Sequence, residues 1–127
     1  MSQPAWSASQ LENVADVEEL VLVISRAERA PLRFPVWPVV VDGDLYVRSY
    51  LGVTAGWYQG VVANQNQAIV LDDNDVDVDV LFEFVPRTDA VNRGIDAAFL
   101  RKYATDDYRD AMITPLALDA TLRILPA

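Results

Sequence analysis

The chain of 127 residues contains no cysteine and no histidine. Without cysteine there is no disulfide framework, no cysteine zinc site and no thiol nucleophile. Without histidine, Ser-His and Cys-His catalysis and histidine-based metal sites are excluded as well. Acid–base chemistry is therefore left to Asp, Glu, Lys and Tyr side chains, whose ordinary pKa values all lie well away from neutrality.

Basic residues are scarce, since ten lysines and arginines stand against nineteen acidic residues and give a net charge of −9. This excess of negative charge disfavours binding to nucleic acid or to an anionic membrane surface. No apolar run is long enough to span a bilayer, and residues 1–20 lack the basic and apolar regions of a signal peptide. We therefore expect a cytoplasmic protein.

The composition fits one globular domain over residues 1–127, because 52% of the residues are hydrophobic and 23% are charged. Six short strands, including two hairpins, alternate with helices at the start, in the middle and late in the chain. This order predicts a mostly β protein, built as a small closed or split six-stranded barrel with peripheral helices.

The first hairpin is predicted from Asp42-Gly43, the strongest turn signal in the chain, since a type I′ turn needs positive φ at both central residues. With these two residues as the loop, residues 35–41 pair with residues 44–50. The second hairpin covers residues 67–85 and is predicted to turn at Asp73-Asn74. Its alternating aspartates lack the glycine of a calcium-binding EF-hand loop, which favours a solvated strand face.

An aromatic cage around one arginine is the most distinctive prediction of the first hairpin. Its register places Trp37 opposite Arg48, and side-chain alternation adds Tyr46 and Tyr50 to the same face. A guanidinium held among aromatic rings is positioned to meet an anion. The alternative is a surface hairpin whose aromatic residues pack on a partner subunit.

The segment after this strand is a candidate ligand loop. Gly52 and Gly56 permit backbone conformations that open N–H groups toward a ligand. The helix that begins between Ala55 and Trp57 adds the positive end of a helix dipole, which attracts anions.

The late helix, predicted over residues 88–103 with a Thr88 cap, has an apolar stripe that ends near Lys102, the only lysine. Lys102 is either an anion contact or a stem packed on the core with its ammonium in solvent. The acidic residues Asp89, Asp96, Asp106 and Asp107 are interpreted as a wet helix surface.

The stretch VVVDGDLYVRSYLGVTAGWYQGVVANQNQAIV (residues 39–70) resembles the middle of the flavin-binding split-barrel superfamily, which includes pyridoxamine-phosphate oxidases and deazaflavin-dependent nitroreductases. The shared pattern is a strand ending in serine, a glycine-bearing loop and a Trp-Tyr helix. The whole chain is similar to a small uncharacterised prokaryotic family of this superfamily. The positions that match the superfamily pattern are Ser49, Gly52, Trp57, Tyr58 and Asn64. The pattern of the small family matches residues 45–49, Gly52, 57–58, 95–99, 102–103 and 121–126.

This resemblance implies a pyridoxamine-phosphate-oxidase-like, six-stranded split barrel that forms a homodimer, with FMN or a deazaflavin held between the subunits and no metal. It implies that Ser49, Gly52 and Trp57 line the phosphate end of the cofactor. It further implies contacts to the cofactor ring or a small-molecule substrate, with no catalytic residue assigned; the candidates for these contacts are Arg48, Tyr50 and Tyr58, and more weakly Thr121 and Arg123.

Three positions depart from the pattern of the superfamily. Tyr50, Trp57 and Gln59 stand where a lysine or arginine often meets the phosphate. Loss of such a charge-assisted contact costs about 1.5–3 kcal/mol of binding free energy. The resemblance makes a flavin- or deazaflavin-dependent oxidoreductase the leading hypothesis. The alternative, which these departures favour, is a cofactor-free split-barrel dimer with a small-molecule-binding or structural role.

Overall fold

The computed structural model describes residues 6–17, 19–26, 28–63, 67–71, 77–105 and 109–126. Within these ranges the chain forms seven strands, four α-helices and two short 3₁₀ helices. The strands are β1 (Leu20–Arg26), β2 (Arg29–Val36), β3 (Val39–Val41), β4 (Asp44–Arg48), β5 (Gln67–Leu71), β6 (Asp77–Phe84) and β7 (Thr121–Pro126). The α-helices are α1 (Ala8–Asp16), α2 (Gly56–Ala63), α3 (Val91–Lys102) and α4 (Pro115–Leu118), and the 3₁₀ helices are Gly52–Thr54 and Arg109–Ile113.

All seven described strands belong to one antiparallel sheet with the order β2-β1-β5-β6-β7-β4-β3. The two edge strands, β2 and β3, are joined by Trp37 and Pro38 alone. Because consecutive Cα atoms are about 3.8 Å apart, this short link brings the two edges close together and the sheet must curl. Among the described residues no ladder pairs β2 with β3, so the closed six-stranded barrel is not shown.

The tight turn of the first hairpin is confirmed. Asp42 and Gly43 have φ angles of 50° and 82°, as a type I′ turn requires. Val41 pairs with Asp44, and Val39 pairs with Tyr46.

The predicted length of this hairpin is wrong, because residues 29–36 pair with β1 instead of with β4. Pro35 lies on an edge strand, where the missing N–H group removes no ladder bond. The chain leaves β2 at Trp37-Pro38 and then starts β3. Residues 35–41, predicted to form one side of the hairpin, therefore belong to two strands. On its other edge, β4 pairs with β7 from Leu45 to Arg48, and Arg48 lies opposite Thr121.

The second hairpin is formed by β5 and β6, with Gln67 paired to Leu81 and Leu71 paired to Asp77. Its predicted turn at Asp73-Asn74 lies outside the described residues. Farther along the chain, α3 has no Thr88 cap; instead the Asp89 carboxylate accepts a hydrogen bond of 2.9 Å from the Val91 backbone N–H.

Two groups of buried side chains pack on the sheet. The main core gathers Leu22, Val47 and Ile124 from the sheet with Trp57 and Val61 from α2. The α3 core gathers side chains from β3, β4 and α3, namely Val39, Tyr46, Ile95, Ala98 and Phe99, with Tyr103 and Met112 from the segments that follow. Because side chains alternate along a strand, β4 contributes to both groups.

No helix in the described part of the chain is long and apolar enough to cross a membrane.

Candidate functional site

A cavity of about 490 Å³ lies at the end of β4, in the size range of small-molecule sites. Four of the six residues that the sequence singled out for cofactor binding line it. These are Arg48, Ser49, Tyr50 and Trp57. The remaining walls come from β2, the 3₁₀ segments and the start of α2, with side chains or backbone of Glu19, Phe34, Pro35, Val36, Trp37, Leu51, Ala55, Gly56 and Met112.

Ser49 contributes a buried hydroxyl group that has no hydrogen-bond partner among the described residues. The residue is only 1% exposed, and its backbone is fixed by bonds to Ala120 (3.2 Å) and Gly52 (2.9 Å). A buried hydroxyl without a partner costs about 1–3 kcal/mol. A ligand oxygen that accepts a bond from this group would remove that cost.

The loop beyond Ser49 depends on Gly52. Its φ of +74° lies in the left-handed region, and a Cβ atom there would come within 2.7 Å of the Leu116 side chain. The turn leaves Tyr50 about half exposed at the cavity mouth. It then returns the chain through Ala55 to the first turn of α2, at the cavity wall.

The first turn of α2 presents its N-terminal end to the cavity through Ala55, Gly56 and Trp57. The first backbone N–H groups of a helix have no partner within the helix. The side-chain amide of Gln59 donates a hydrogen bond to the Val53 carbonyl at 2.6 Å. The superfamily pattern predicts a cation at this position. The first turn is therefore neutral apart from its dipole.

Arg48 is fully engaged by the protein. Its Nε donates to the Thr121 hydroxyl at 2.9 Å, and its Nη2 donates to the Asn92 side chain at 3.1 Å and to the Asn92 carbonyl at 3.4 Å. Its Nη1 donates to the Met112 carbonyl at 3.0 Å and to the Asp96 carboxylate. A guanidinium has five N–H groups, and these five bonds use all of them.

The environment of Arg48 is a compact polar network inside the fold. The residue is 1% exposed, and burial lowers the pKa of its guanidinium, while the hydrogen bond and charge of Asp96 oppose that shift. Asn92 is anchored in turn, because its amide donates to the carbonyls of Pro86 (2.9 Å) and Arg87 (3.2 Å).

The predicted aromatic cage around Arg48 is wrong. The ring recorded near its guanidinium is that of Phe99, at 5.9 Å. Trp37 instead stacks on Tyr103 with ring centroids 4.2 Å apart, and Tyr46 lies under Arg123 at 5.8 Å. The cage fails because residues 35–37 do not pair with β4, so their side chains have a different register.

Two of the six predicted cofactor residues stand behind the cavity wall and not among its lining residues. Gly52 is buried beneath Leu116. Tyr58 packs in the main core, where burial raises the pKa of its phenol. The two weaker candidates on β7 are also not lining residues. The Thr121 hydroxyl accepts a hydrogen bond from Arg48, and Arg123 forms an ion pair with Glu83 at 3.5 Å.

Sequence reasoning assigned several polar residues to solvent that the structure places in contacts. Asp96, interpreted as a wet helix surface, is the ion-pair partner of Arg48. Lys102 matches neither of its two interpretations, because its ammonium donates to the carbonyls of Pro38 (2.6 Å) and Val14 (3.1 Å). Asp106 and Asp107 lie outside the described residues.

The lining residues that the sequence did not place at a site include Glu19, Phe34 and Met112. Phe34 carries no local signal for a site, because only the pairing of β2 with β1 brings it to the cavity. The tertiary fold likewise decides where Met112 lies. Among the described residues, no group of three acidic side chains is arranged to hold a metal ion.

Comparison with solved structures finds several proteins whose fold is similar to that of this chain. ChuZ from Campylobacter jejuni is 12% identical, with a TM-score of 0.67 over 91% of this chain, which spans only 50% of ChuZ. A candidate pyridoxamine 5′-phosphate oxidase from Listeria innocua is 16% identical, with a TM-score of 0.63 over 91% of this chain and 89% of that protein.

A third similar structure is the FAD and heme binding protein from Mycobacterium smegmatis. It is 17% identical and has a TM-score of 0.55 over 99% of this chain and 68% of that protein. At these identities the likeness establishes the fold alone. No protein with a curated description matches the sequence.

The sequence itself matches one family model over residues 10–124, described as an uncharacterized protein conserved in bacteria. This match covers nearly the whole chain. The protein therefore belongs to the bacterial family DUF2255, with a split-barrel-type fold.

Proposed function

We propose that the protein is a flavin- or deazaflavin-binding oxidoreductase whose ligand lies in the cavity at the end of β4. The observation that carries this proposal is the buried Ser49 hydroxyl without a partner, beside the N-terminal turn of α2, at a cavity of about 490 Å³. A preformed polar group of this kind inside a mostly apolar cavity is typical of a ligand site.

The lining residues fit a planar aromatic ring. Phe34, Trp37 and Trp57 supply aromatic surface, and Tyr50 lies at the cavity mouth. Ser49 and the first N–H groups of α2 would hold the polar tail of the ligand, and the apolar walls would exclude water from its ring. When bound, a flavin or deazaflavin supplies the hydride chemistry itself, so the protein needs to bind, orient and shield it.

We further propose that the protein is a homodimer. Four large apolar side chains are exposed around the loop and α4, namely Tyr50, Leu51, Val53 and Leu116. Exposed apolar side chains grouped beside a cavity mark a surface that a partner covers. A second copy would cover these residues and close the cavity mouth; analytical ultracentrifugation of the wild-type chain and of Leu116→Glu tests this, with a monomeric wild type as the contradicting result.

Ligand binding is tested by titration of the purified protein with FMN, riboflavin and a deazaflavin. Two of the three tryptophans, Trp37 and Trp57, line the cavity. Trp6 is not a lining residue, and its indole N–H donates to the Ile124 carbonyl at 2.7 Å. We expect quenching of tryptophan fluorescence in the wild type and in Trp6→Phe, and reduced quenching in Trp57→Phe. Unchanged spectra with all three compounds at millimolar concentration would contradict the proposal.

A second candidate function is a cofactor-free module that binds a small molecule or serves as a structural dimer. The observation that favours it is the fully engaged Arg48, which leaves no cation for a phosphate among the described lining residues. In that case the flavin titrations leave the tryptophan fluorescence unchanged, while ultracentrifugation still shows a dimer.

A further inference from the structure

We propose that the cavity selects an uncharged flavin-type ligand, such as riboflavin or an unphosphorylated deazaflavin, over its phosphorylated form. This inference rests on the proposed function and names the class of ligand within it. Its basis is the supply of polar groups at the cavity: neutral donors are present, a usable cation is absent among the described lining residues, and an acidic side chain is present.

The first step is the engagement of Arg48, the one basic residue among the described lining residues. Each of its five N–H groups already donates to a protein oxygen. A phosphate would have to displace Asp96 or a buried carbonyl to reach the guanidinium, and the displaced group would then lack its partner. Arg48 therefore shapes the wall and does not bind phosphate.

The second step is the sign of the remaining charge. Glu19 is the acidic residue that lines the cavity, and the whole chain carries a net charge of −9. Both disfavour entry of a phosphate dianion, whereas neither acts on a neutral ring and its hydroxyl groups.

The third step compares what the cavity does offer. The helix dipole at the start of α2 favours an anion, and at an exposed helix end such a contact typically changes affinity by about two- to fivefold. The charge-assisted contact that is missing is worth roughly tenfold to a hundredfold. The unpartnered Ser49 hydroxyl can donate a hydrogen bond to an alcohol or carbonyl oxygen of the ligand, and this bond needs no charge on the ligand.

Riboflavin and FMN form a matched pair of probes that differ only in the phosphate group. We expect the full-length protein to bind riboflavin more tightly than FMN, measured by flavin fluorescence quenching at low ionic strength. Equal affinity for the two compounds, or tighter binding of FMN, would overturn this inference and leave the proposed function standing. Absence of binding by both compounds would overturn the proposed function and this inference with it.

A gain-of-binding variant tests the same point from the opposite side. Tyr50→Arg places a cation at the cavity mouth, where the native side chain is 52% exposed in the single chain. We expect the ratio of FMN affinity to riboflavin affinity to rise roughly tenfold. Val62→Arg is the matched control, because it adds the same charge at an exposed position on α2 outside the lining residues and should leave the ratio unchanged. An unchanged ratio in Tyr50→Arg would contradict the inference.

Discussion

Arg48 and Ser49 are neighbours in the chain and both are 1% exposed, yet their polar groups are in opposite states. Every N–H group of the Arg48 guanidinium has a partner, on the side of the sheet that faces α3. The Ser49 hydroxyl has no hydrogen-bond partner among the described residues. The polar groups of Arg48 are thus satisfied within the fold, whereas the neighbouring hydroxyl of Ser49 is not.

The difference separates two uses of buried polar groups. A satisfied network fixes the position of α3 on the sheet and contributes to stability. An unsatisfied hydroxyl at a cavity lowers stability, and its retention is understandable if a ligand satisfies it. Substitutions of the two residues should accordingly have different signatures in stability and in binding.

The largest effect is expected from Arg48→Met. The substitution leaves the Met112 carbonyl, the Thr121 hydroxyl and the Asn92 side chain without their donor. Removing one member of a buried ion pair is strongly destabilising; because Asp96 is partly exposed, we expect a loss of about 3 kcal/mol in the free energy of unfolding.

Urea denaturation measures this loss, and Arg93→Met serves as the control. Arg93 also lies on α3 but is exposed, so its replacement should change the free energy of unfolding by no more than about 0.5 kcal/mol. Equal effects of the two substitutions would break the contrast between Arg48 and Ser49.

A smaller effect is expected from Gly52→Ala in the ligand loop. Gly43 and Gly52 both have positive φ, but only at Gly52 does an added Cβ meet another side chain, Leu116 at 2.7 Å. We expect Gly43→Ala to cost about 1 kcal/mol from backbone strain alone. Gly52→Ala should cost about 1–2 kcal/mol and should also weaken flavin binding, because the loop must shift.

The double variant Gly52→Ala, Leu116→Ala separates strain from contact. It should recover part of the lost stability relative to Gly52→Ala, because the exposed Leu116 side chain no longer opposes the new Cβ. No recovery would show that backbone strain accounts for the whole loss.

The smallest effect concerns two buried tyrosines, one on each side of the sheet. Burial raises the pKa of Tyr46 in the α3 core, against the opposing charge of Arg123, and burial raises the pKa of Tyr58 in the main core. A raised pKa in the folded state favours the neutral phenol, so this stability is present below the ordinary value of 10.0 and is lost as the pH rises above it.

We therefore expect the free energy of unfolding to fall as the pH is raised through about 10 and beyond. Tyr46→Phe and Tyr58→Phe should each reduce the slope of this fall in urea titrations. A slope that neither substitution alters would show that other groups control the alkaline transition.

Local signals in the sequence predicted local structure well. The Asp42-Gly43 turn, the pairing of Val39 with Tyr46 and the start of α2 at Gly56 were correct because turn chemistry and alternation act over a few residues. The resemblance of residues 39–70 to the superfamily predicted the fold that the solved structures show.

Pairing between distant segments was not predictable in the same way. Residues 29–36 pair with β1 because of tertiary packing, and at Trp37-Pro38 the chain passes from one edge of the sheet to the other. The partner of Arg48 was missed because Asp96 is spaced like an exposed residue of α3, and only the packing of α3 on β4 brings it to the guanidinium.

The most direct test compares two buried hydroxyl groups, one with hydrogen-bond partners and one without a partner among the described residues. The Thr121 hydroxyl accepts from Arg48 and donates to the Leu118 carbonyl, each at 2.9 Å, whereas the Ser49 hydroxyl has no partner among the described residues. We predict that Thr121→Val lowers the free energy of unfolding by about 1–3 kcal/mol, while Ser49→Ala leaves it equal or raises it by about 1 kcal/mol and weakens riboflavin binding. A loss of stability in Ser49→Ala as large as that in Thr121→Val, with riboflavin binding unchanged, would contradict the account.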